Sequence, residues 1–467
     1  MTAVDFAAPE PERELVAPVF RDSLVTVYQA DCLDLLPTMP ACSVTAVVTD
    51  PPYGLEFMGR AWDKPWKAGD GFRRSRNPND TGRNSVFGRL SARGPEYAAG
   101  SGYQAWCVEW ARECLRVLKP GGHLLAFGGT RTWHRLAAAL EDAGFEIRDT
   151  IAWLHGQGFP KSLNVSTAID QAAGGTAGAG KRWRGWGTGL KPAFEPIVVA
   201  RKPRVGSVAA NLLEHGTGGL HIDACRVPIS DADRVTINRK HAGMSVATYR
   251  RAPGSSLNLS VRPLALKPAR AHDRGRWPAN VVLVHGSNCG ERCAPDCPVA
   301  ALDQQSGRSV SRAGVPRRGP AGQGWGMTAS GSEHDDAGGA SRYFPAFRWQ
   351  AKAPSRERPK IGTRGHPTVK PVALVRWLVR LVPPPGGLVL DPFLGSGTTA
   401  EAARAEGFRC IGIEREVAYV PLIRARLVKR SGTARSARTA GKTSSRSAVP
   451  HDTEHDLVQG VSYRGPP

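Results

Sequence analysis

The chain has no run of about 18 apolar residues, so no membrane-spanning helix is expected. Met1 to Phe20 carries acidic residues and prolines without an apolar centre, and a secretory leader is not expected. Acidic residues are scarce relative to basic ones, 41 against 63, which leaves a formal charge of +22. That excess excludes an acidic, self-repelling chain and points to a polyanionic partner, most simply nucleic acid. Cysteine is sparse and odd in number, nine in 467 residues. With no export signal, reduced thiols and a cytoplasmic location are expected rather than a disulfide framework.

What is present is enough apolar residue for a core, 41% of the chain. The length suits about two to three domains. Residues 22–205 alternate strands and helices. The strands are Leu24 to Tyr28, Val44 to Thr49, His123 to Phe127, Glu146 to Leu154 and Glu195 to Ala200. Tyr103 to Leu118 is amphipathic and is expected to stop at Lys119-Pro120-Gly121-Gly122, and Thr132 to Ala143 is helical. Residues 206–349 are rich in Gly, Pro, Ser and Arg and read as an inserted, irregular module, with Gly307 to Ala340 expected to be disordered. The α/β pattern resumes over 350–430, with helices at Pro371 to Val382, Thr398 to Glu406 and Glu416 to Arg430. Residues 1–21 and the basic segment 431–467 are expected to be disordered. The fold class is therefore α/β, a mostly parallel, doubly wound sheet with an irregular insertion.

Two strand ends carry chemistry. Asp50-Pro51-Pro52-Tyr53 follows the apolar run Val44 to Thr49. A carboxylate and a nearby carbonyl suit the two protons of a planar amino group, the prolines fix the backbone, and the ring stacks on a heterocycle. Alone, the four residues are equally a strand-to-loop turn. Near the other end, Leu388 to Leu390 runs into Asp391-Pro392-Phe393-Leu394-Gly395-Ser396-Gly397-Thr398-Thr399 and a helix. Glycines there let a ligand approach the backbone, and Glu414 ends the next strand where an acidic residue meets ribose hydroxyls. The third glycine of a dinucleotide site and a Walker lysine are both missing. S-adenosylmethionine therefore fits better than NAD or ATP, with Asp391 facing its ammonium.

The pair, in this order, resembles the β arrangement of amino-group DNA methyltransferases. In that family D-P-P-Y comes first, a target-recognition region follows, and F-x-G-x-G comes last. The resemblance covers about residues 22–205 and 350–430 and implies a permuted Rossmann-like fold. It implies S-adenosylmethionine as cofactor and double-stranded DNA as partner, with the base flipped out. It implies catalytic roles for Asp50, Pro51, Pro52 and Tyr53. It places the cofactor at Asp31, Lys370 (within His366 to Pro371), Asp391, Phe393, Gly395, Gly397, Thr398 and Glu414. D-P-P-Y is the commoner form for adenine N6 and S-P-P-Y for cytosine N4, so adenine is expected and cytosine N4 is the alternative. A catalytically inactive DNA-binding relative of the same fold is a further alternative. A restriction endonuclease partner and a homodimer are left open.

Weaker signals remain. Gly69 to Gly100, with Arg73, Arg74, Arg76, Arg83 and Arg89, reads as a basic loop, and Trp62 and Trp66 as wall residues for a flipped base. Arg435, Arg438, Lys442 and Arg446 suit loose phosphate contacts. No metal is assigned. His285, Cys289, Cys293 and Cys297 recur every fourth residue, and four N/S ligands would suit a tetrahedral zinc knuckle, but paired C-x2-C is the stronger spacing and a loop of unrelated thiols is the simpler reading.

Overall fold

The computed structural model describes residues 16–55, 95–155, 162–310 and 337–428, apart from breaks at 176–177, 230–233, 236–244, 252–259, 269–273, 287–288, 290–292, 295–296, 348–356 and 363. The basic loop arginines, Trp62, Trp66, the tail residues and most of Gly307 to Ala340 lie outside the described residues.

Ten strands form one sheet. In chain order they are β1 (Phe20–Arg21), β2 (Val25–Gln29), β3 (Val44–Thr49), β4 (Leu118–Phe127), β5 (Glu146–Leu154), β6 (Phe194–Arg201), β7 (Val281–Val284), β8 (Ala346–Phe347), β9 (Leu388–Asp391) and β10 (Arg409–Glu414). Their spatial order is β1-β2-β10-β9-β3-β4-β6-β5-β7-β8. Pairing is parallel from β2 through β10, β9 and β3 to β4, and again from β5 through β7 to β8. It is antiparallel where β6 slots between β4 and β5, and where β1 edges β2. The expectation of a mostly parallel sheet is met.

The central strands are continuous apolar or β-branched runs because both faces are covered. All six residues of β3 are buried. On one face, Val44 and Val47 pack with Leu390 and Ile413 under helix α2 (Pro95–Val117). Tyr103, Cys107, Trp110, Cys114 and Val117, each within 1% of full burial, recur at the spacing of one helical face. Helix α3 (Trp133–Asp142) extends this layer through Leu136, Ala139 and Leu140. On the other face, Ala46, Val48 and Val389 pack under helix α5 (Val372–Leu381) through Leu374, Val375 and Leu378. Helix α6 (Thr398–Ala405) adds Ala400, Ala402 and Ala403 to that layer. Truncating a fully buried leucine such as Leu378 would cost about 2–5 kcal/mol.

Lys119-Pro120-Gly121-Gly122 lies within β4 rather than between elements. Val44 pairs with Leu118 and Ala46 with His123, so the four residues form a bulge opposite Thr45. Gly121 has φ +76°, a conformation glycine adopts without strain, and the Pro120 carbonyl accepts from Asn211 Nδ2 at 2.9 Å. The final helix begins as a short 3-10 turn, Val417–Tyr419, and continues over 420–428. The region 206–349 is not wholly separate from the catalytic sheet. Its strand β7 pairs with β5, and β8 pairs with β7, lengthening the sheet at one edge.

One consequence of the order positions the site. Chain leaving β9 crosses through α6 to β10 on one side, and chain leaving β3 reaches β4 on the other. Strand order reverses between β9 and β3, and open α/β sheets bind ligands outside the strand ends at such a point.

Candidate active site

Thr49 and Asp391 end neighbouring parallel strands although 342 residues separate them. The Thr49 hydroxyl donates to Asp391 Oδ1 at 2.6 Å, joining the two motifs directly. Above these strand ends opens a cavity of about 1420 Å³. Asp31, Asp50, Pro51, Pro52, Tyr53, Lys370, Asp391, Phe393, Gly395, Thr398 and Glu414 all line it. Gly397 is not on the wall. It caps α6 in a left-handed conformation, φ +85°, and so sets the turn that delivers Gly395 and Thr398.

On the β3 side, the Asp50 carboxylate is held by Lys370, whose Nζ donates to Oδ2 at 2.5 Å. Lys370 Nζ also lies 3.6 Å from Glu195 Oε2, and the Tyr53 hydroxyl donates to the same Glu195 oxygen at 2.9 Å. His155 Nε2 approaches the other Glu195 oxygen at 3.8 Å. Thr132 donates its hydroxyl to the Tyr53 carbonyl at 2.6 Å, tying the loop to the start of α3. The ammonium stands over two rings, 4.9 Å from the Phe127 centroid and 5.2 Å from that of Tyr53, a cation–π arrangement. Asp50 Oδ1 is withdrawn from solvent and meets no donor in hydrogen-bonding geometry among the described residues.

Burial disfavours the Lys370 ammonium, but Asp50 and Glu195 together outweigh it and hold its pKa above the ordinary value. Burial pushes the Asp50 carboxyl up, against the pull of the Lys370 charge. Burial raises the Tyr53 phenol well above its usual range, with Asp50 and Glu195 adding to the shift, so it stays a neutral donor. His366 is pushed down to about 3 by burial and then by Lys370. It is therefore neutral, and its Nδ1 accepts from the Thr368 amide at 3.3 Å.

On the β9 side, Asp391 Oδ1 also accepts the Phe393 amide at 3.0 Å. Glu414 receives the Gly395 amide on one oxygen and the Glu416 amide on the other, both at 2.7 Å. Burial raises Asp391 to about 6 and Glu414 to about 8. Two buried carboxyls on one wall, poised to ionise beside a cation, suit a ligand bearing an ammonium and hydroxyls. Gly395 has φ +57°, a conformation that favours glycine, and a Cβ there would come within 3.1 Å of His366 Nε2, so the turn can pack this closely against the imidazole only without a side chain. Phe393 packs on Trp106 and Trp110 with ring centroids 5.6 and 5.4 Å apart. Asp31 caps helix α1 (Cys32–Leu35), accepting from the Leu33 amide at 2.9 Å, with Arg415 at 4.0 Å. A ligand of the S-adenosylmethionine type therefore fits the residues present.

Lys370, expected on the cofactor side, has its ammonium on Asp50 instead. Sequence reasoning passed over Glu195, His155 and Phe127. Glu195 had one available signal, an acidic residue at the mouth of the wholly buried run Ile197 to Ala200. The His285/Cys cluster does not line this cavity.

A family model described as DNA methylase, covering N6 and N4 methyltransferases, matches residues 44–425. The type II methyltransferase M.HindIII of Haemophilus influenzae is 29% identical over 206 residues, 41% of this chain and 63% of that protein. The type II methyltransferase M.BamHI of Bacillus amyloliquefaciens is 31% identical over 112 residues, 24% of this chain and 19% of that protein. The chain thus spans less than two thirds of either relative. Among solved structures, the cytosine-N4-specific PvuII DNA methyltransferase superposes with a TM-score of 0.41 at 15% identity, covering 88% of each chain.

Proposed function

The chain belongs to the N6/N4 family of DNA methylases, and from that premise we propose that it methylates double-stranded DNA at the exocyclic amine of a flipped base. The methyl donor is S-adenosylmethionine and the target is adenine N6. The observation that carries the reading is the 2.6 Å bond from Thr49 to Asp391, which sets an amine-accepting motif beside a cofactor-type wall on one cavity.

Asp391 and Glu414 would hold the cofactor through its ammonium and ribose hydroxyls, with the Gly395 backbone beneath it and Asp31 at the adenine. The bound cofactor supplies an electrophilic methyl on a sulfonium. An exocyclic amine is a weak nucleophile because its lone pair is delocalised into the ring. Asp50 Oδ1 accepts one amine N–H and the Pro51 carbonyl accepts the other, which favours a pyramidal nitrogen with its lone pair restored. The desolvation of Oδ1 is already incurred in the folded protein, so an arriving donor meets an acceptor that water no longer serves. Lys370 fixes Oδ2 and therefore the carboxylate plane. Tyr53 stacks on the base while Glu195 and Thr132 hold its two ends. Positioning and electrostatics supply the acceleration without a covalent enzyme intermediate. The amine of paired DNA is out of reach, so the base is flipped, and the +22 charge supplies salt-sensitive phosphate contacts.

The test is transfer of labelled methyl from S-adenosylmethionine to duplex DNA, followed by nucleoside analysis. N6-methyladenine is expected. N4-methylcytosine would move the assignment to the other amine, and unlabelled DNA under conditions where cofactor binds would overturn the reading.

A further inference from the structure

About two thirds of the way along the chain, outside the cavity, His285, Cys289, Cys293 and Cys297 converge. Their ligand atoms all lie within 4.8 Å of one another. His285 Nδ1 is 3.4 Å from Cys293 Sγ and 3.6 Å from Cys297 Sγ. Zinc bonds of about 2.3 Å to sulfur and about 2.0 Å to nitrogen, set at tetrahedral angles, give N···S edges of about 3.5 Å. The two separations match that figure.

From this geometry we propose that the chain binds one structural zinc ion through His285, Cys289, Cys293 and Cys297. Three further observations support it. The Gly286 amide donates to Cys297 Sγ and the Ala294 amide to Cys289 Sγ, each at 3.3 Å, and such donors stabilise thiolates rather than thiols. Cys297 sits at the N-cap of helix α4 (Pro298–Ser306), where the helix dipole favours negative charge. The ligands also sit in a small apolar cluster, in which Leu283, Cys297 and Val299 are buried and Val281, Leu302 and Phe344 pack partly buried against them.

Four protein ligands leave no open position, so the site is structural and not catalytic. Binding replaces three S–H bonds by three S–Zn bonds, releases three protons to solvent and changes no oxidation state. The ion joins two elements. His285 follows β7 and its amide donates to the Phe347 carbonyl of β8 at 3.0 Å, while Cys297 starts α4. Zinc therefore fastens α4 to the strands that the inserted region adds to the catalytic sheet.

The experiment uses the full-length chain, expressed with zinc in the medium and purified without chelator. About one zinc per chain is expected by elemental analysis. Cobalt exchanged into the wild type should give the intense visible bands of a tetrahedral thiolate site, a readout that does not depend on any variant folding. Cys289→Ser and Cys293→Ser, at half-buried positions, should each lose most of the metal, while Cys42→Ser, at an exposed thiol elsewhere, should retain it. Removing zinc should raise amide exchange in Val281–Val284 and Pro298–Ser306. Zinc well below one equivalent, an octahedral cobalt spectrum, or unchanged loading in both ligand variants would overturn the proposal. So would a thiol titration in native buffer that finds a disulfide among the three cysteines.

Discussion

Replacing Lys370 by Met probes the cavity where its charges are most tightly coupled. The ammonium lies 2.5 Å from Asp50 and 3.6 Å from Glu195, and its side chain is only 9% exposed. The substitution keeps the bulk of the stem and removes the charge. Two carboxylates are then left in a poorly solvated site without their common cation. Removing one member of a buried ion pair costs about 3–5 kcal/mol, and one pKa unit corresponds to about 1.4 kcal/mol. Losing the common cation raises the Asp50 pKa further above its already raised wild-type value, because burial is then no longer opposed by the Lys370 charge. The sign follows. In the proposed reaction Asp50 accepts the amine N–H only as a carboxylate, and a carboxyl with a raised pKa is ionised only above that pKa. The acid limb of the methylation rate should move to higher pH, and each pH unit of displacement lowers the rate on the acid side about 10-fold. Adding Glu195→Gln removes the second carboxylate and should return part of the shift. The assay is single-turnover methyl transfer to duplex DNA over a range of pH. An unmoved acid limb in Lys370→Met would refute the reasoning, because the ammonium would then not be setting the state of Asp50.

Glu414, raised to about 8 by burial, should ionise more readily once a cationic ligand arrives, so cofactor affinity should rise with pH up to about 8. Glu414→Gln should flatten that profile in calorimetric titrations. In the ligand-free protein the sign is opposite. The folded state holds this proton more tightly than the unfolded state, so its contribution to stability is full below about 4.5 and is lost as pH rises towards 8. Gly395→Ala should weaken cofactor binding and cost about 1–2 kcal/mol in thermal unfolding, because φ is +57° and the new Cβ meets His366.

The β3 run was legible because it is buried on both faces, and the β5 run although only Ile151 and Trp153 of it are buried. Val44 to Thr49 and Glu146 to Leu154 have the bounds read from their residues. Boundaries failed where turn chemistry was absorbed into a strand, as at Lys119 to Gly122, whose stop signals became a bulge. Strand β7 and the edge strand β8 have four and two residues and escape any periodicity argument, so the insertion looked more separate than it is. Motif residues indicated the two strand ends, but not which side chain faces which. Lys370 stands within a cofactor-side motif by sequence and against Asp50 in space. Glu195 carries no motif of its own, and only the antiparallel placement of β6 beside β4 brings it to Tyr53.

In the proposed reaction Asp50 receives the amine while a separate wall holds the methyl donor. The most direct test is Asp50→Ala assayed in parallel for S-adenosylmethionine binding and for single-turnover methylation of duplex DNA. Cofactor affinity should be retained, since Asp391 and Glu414 are untouched, and transfer should fall by at least about 10²- to 10³-fold. Transfer at the wild-type rate in that variant would contradict the account.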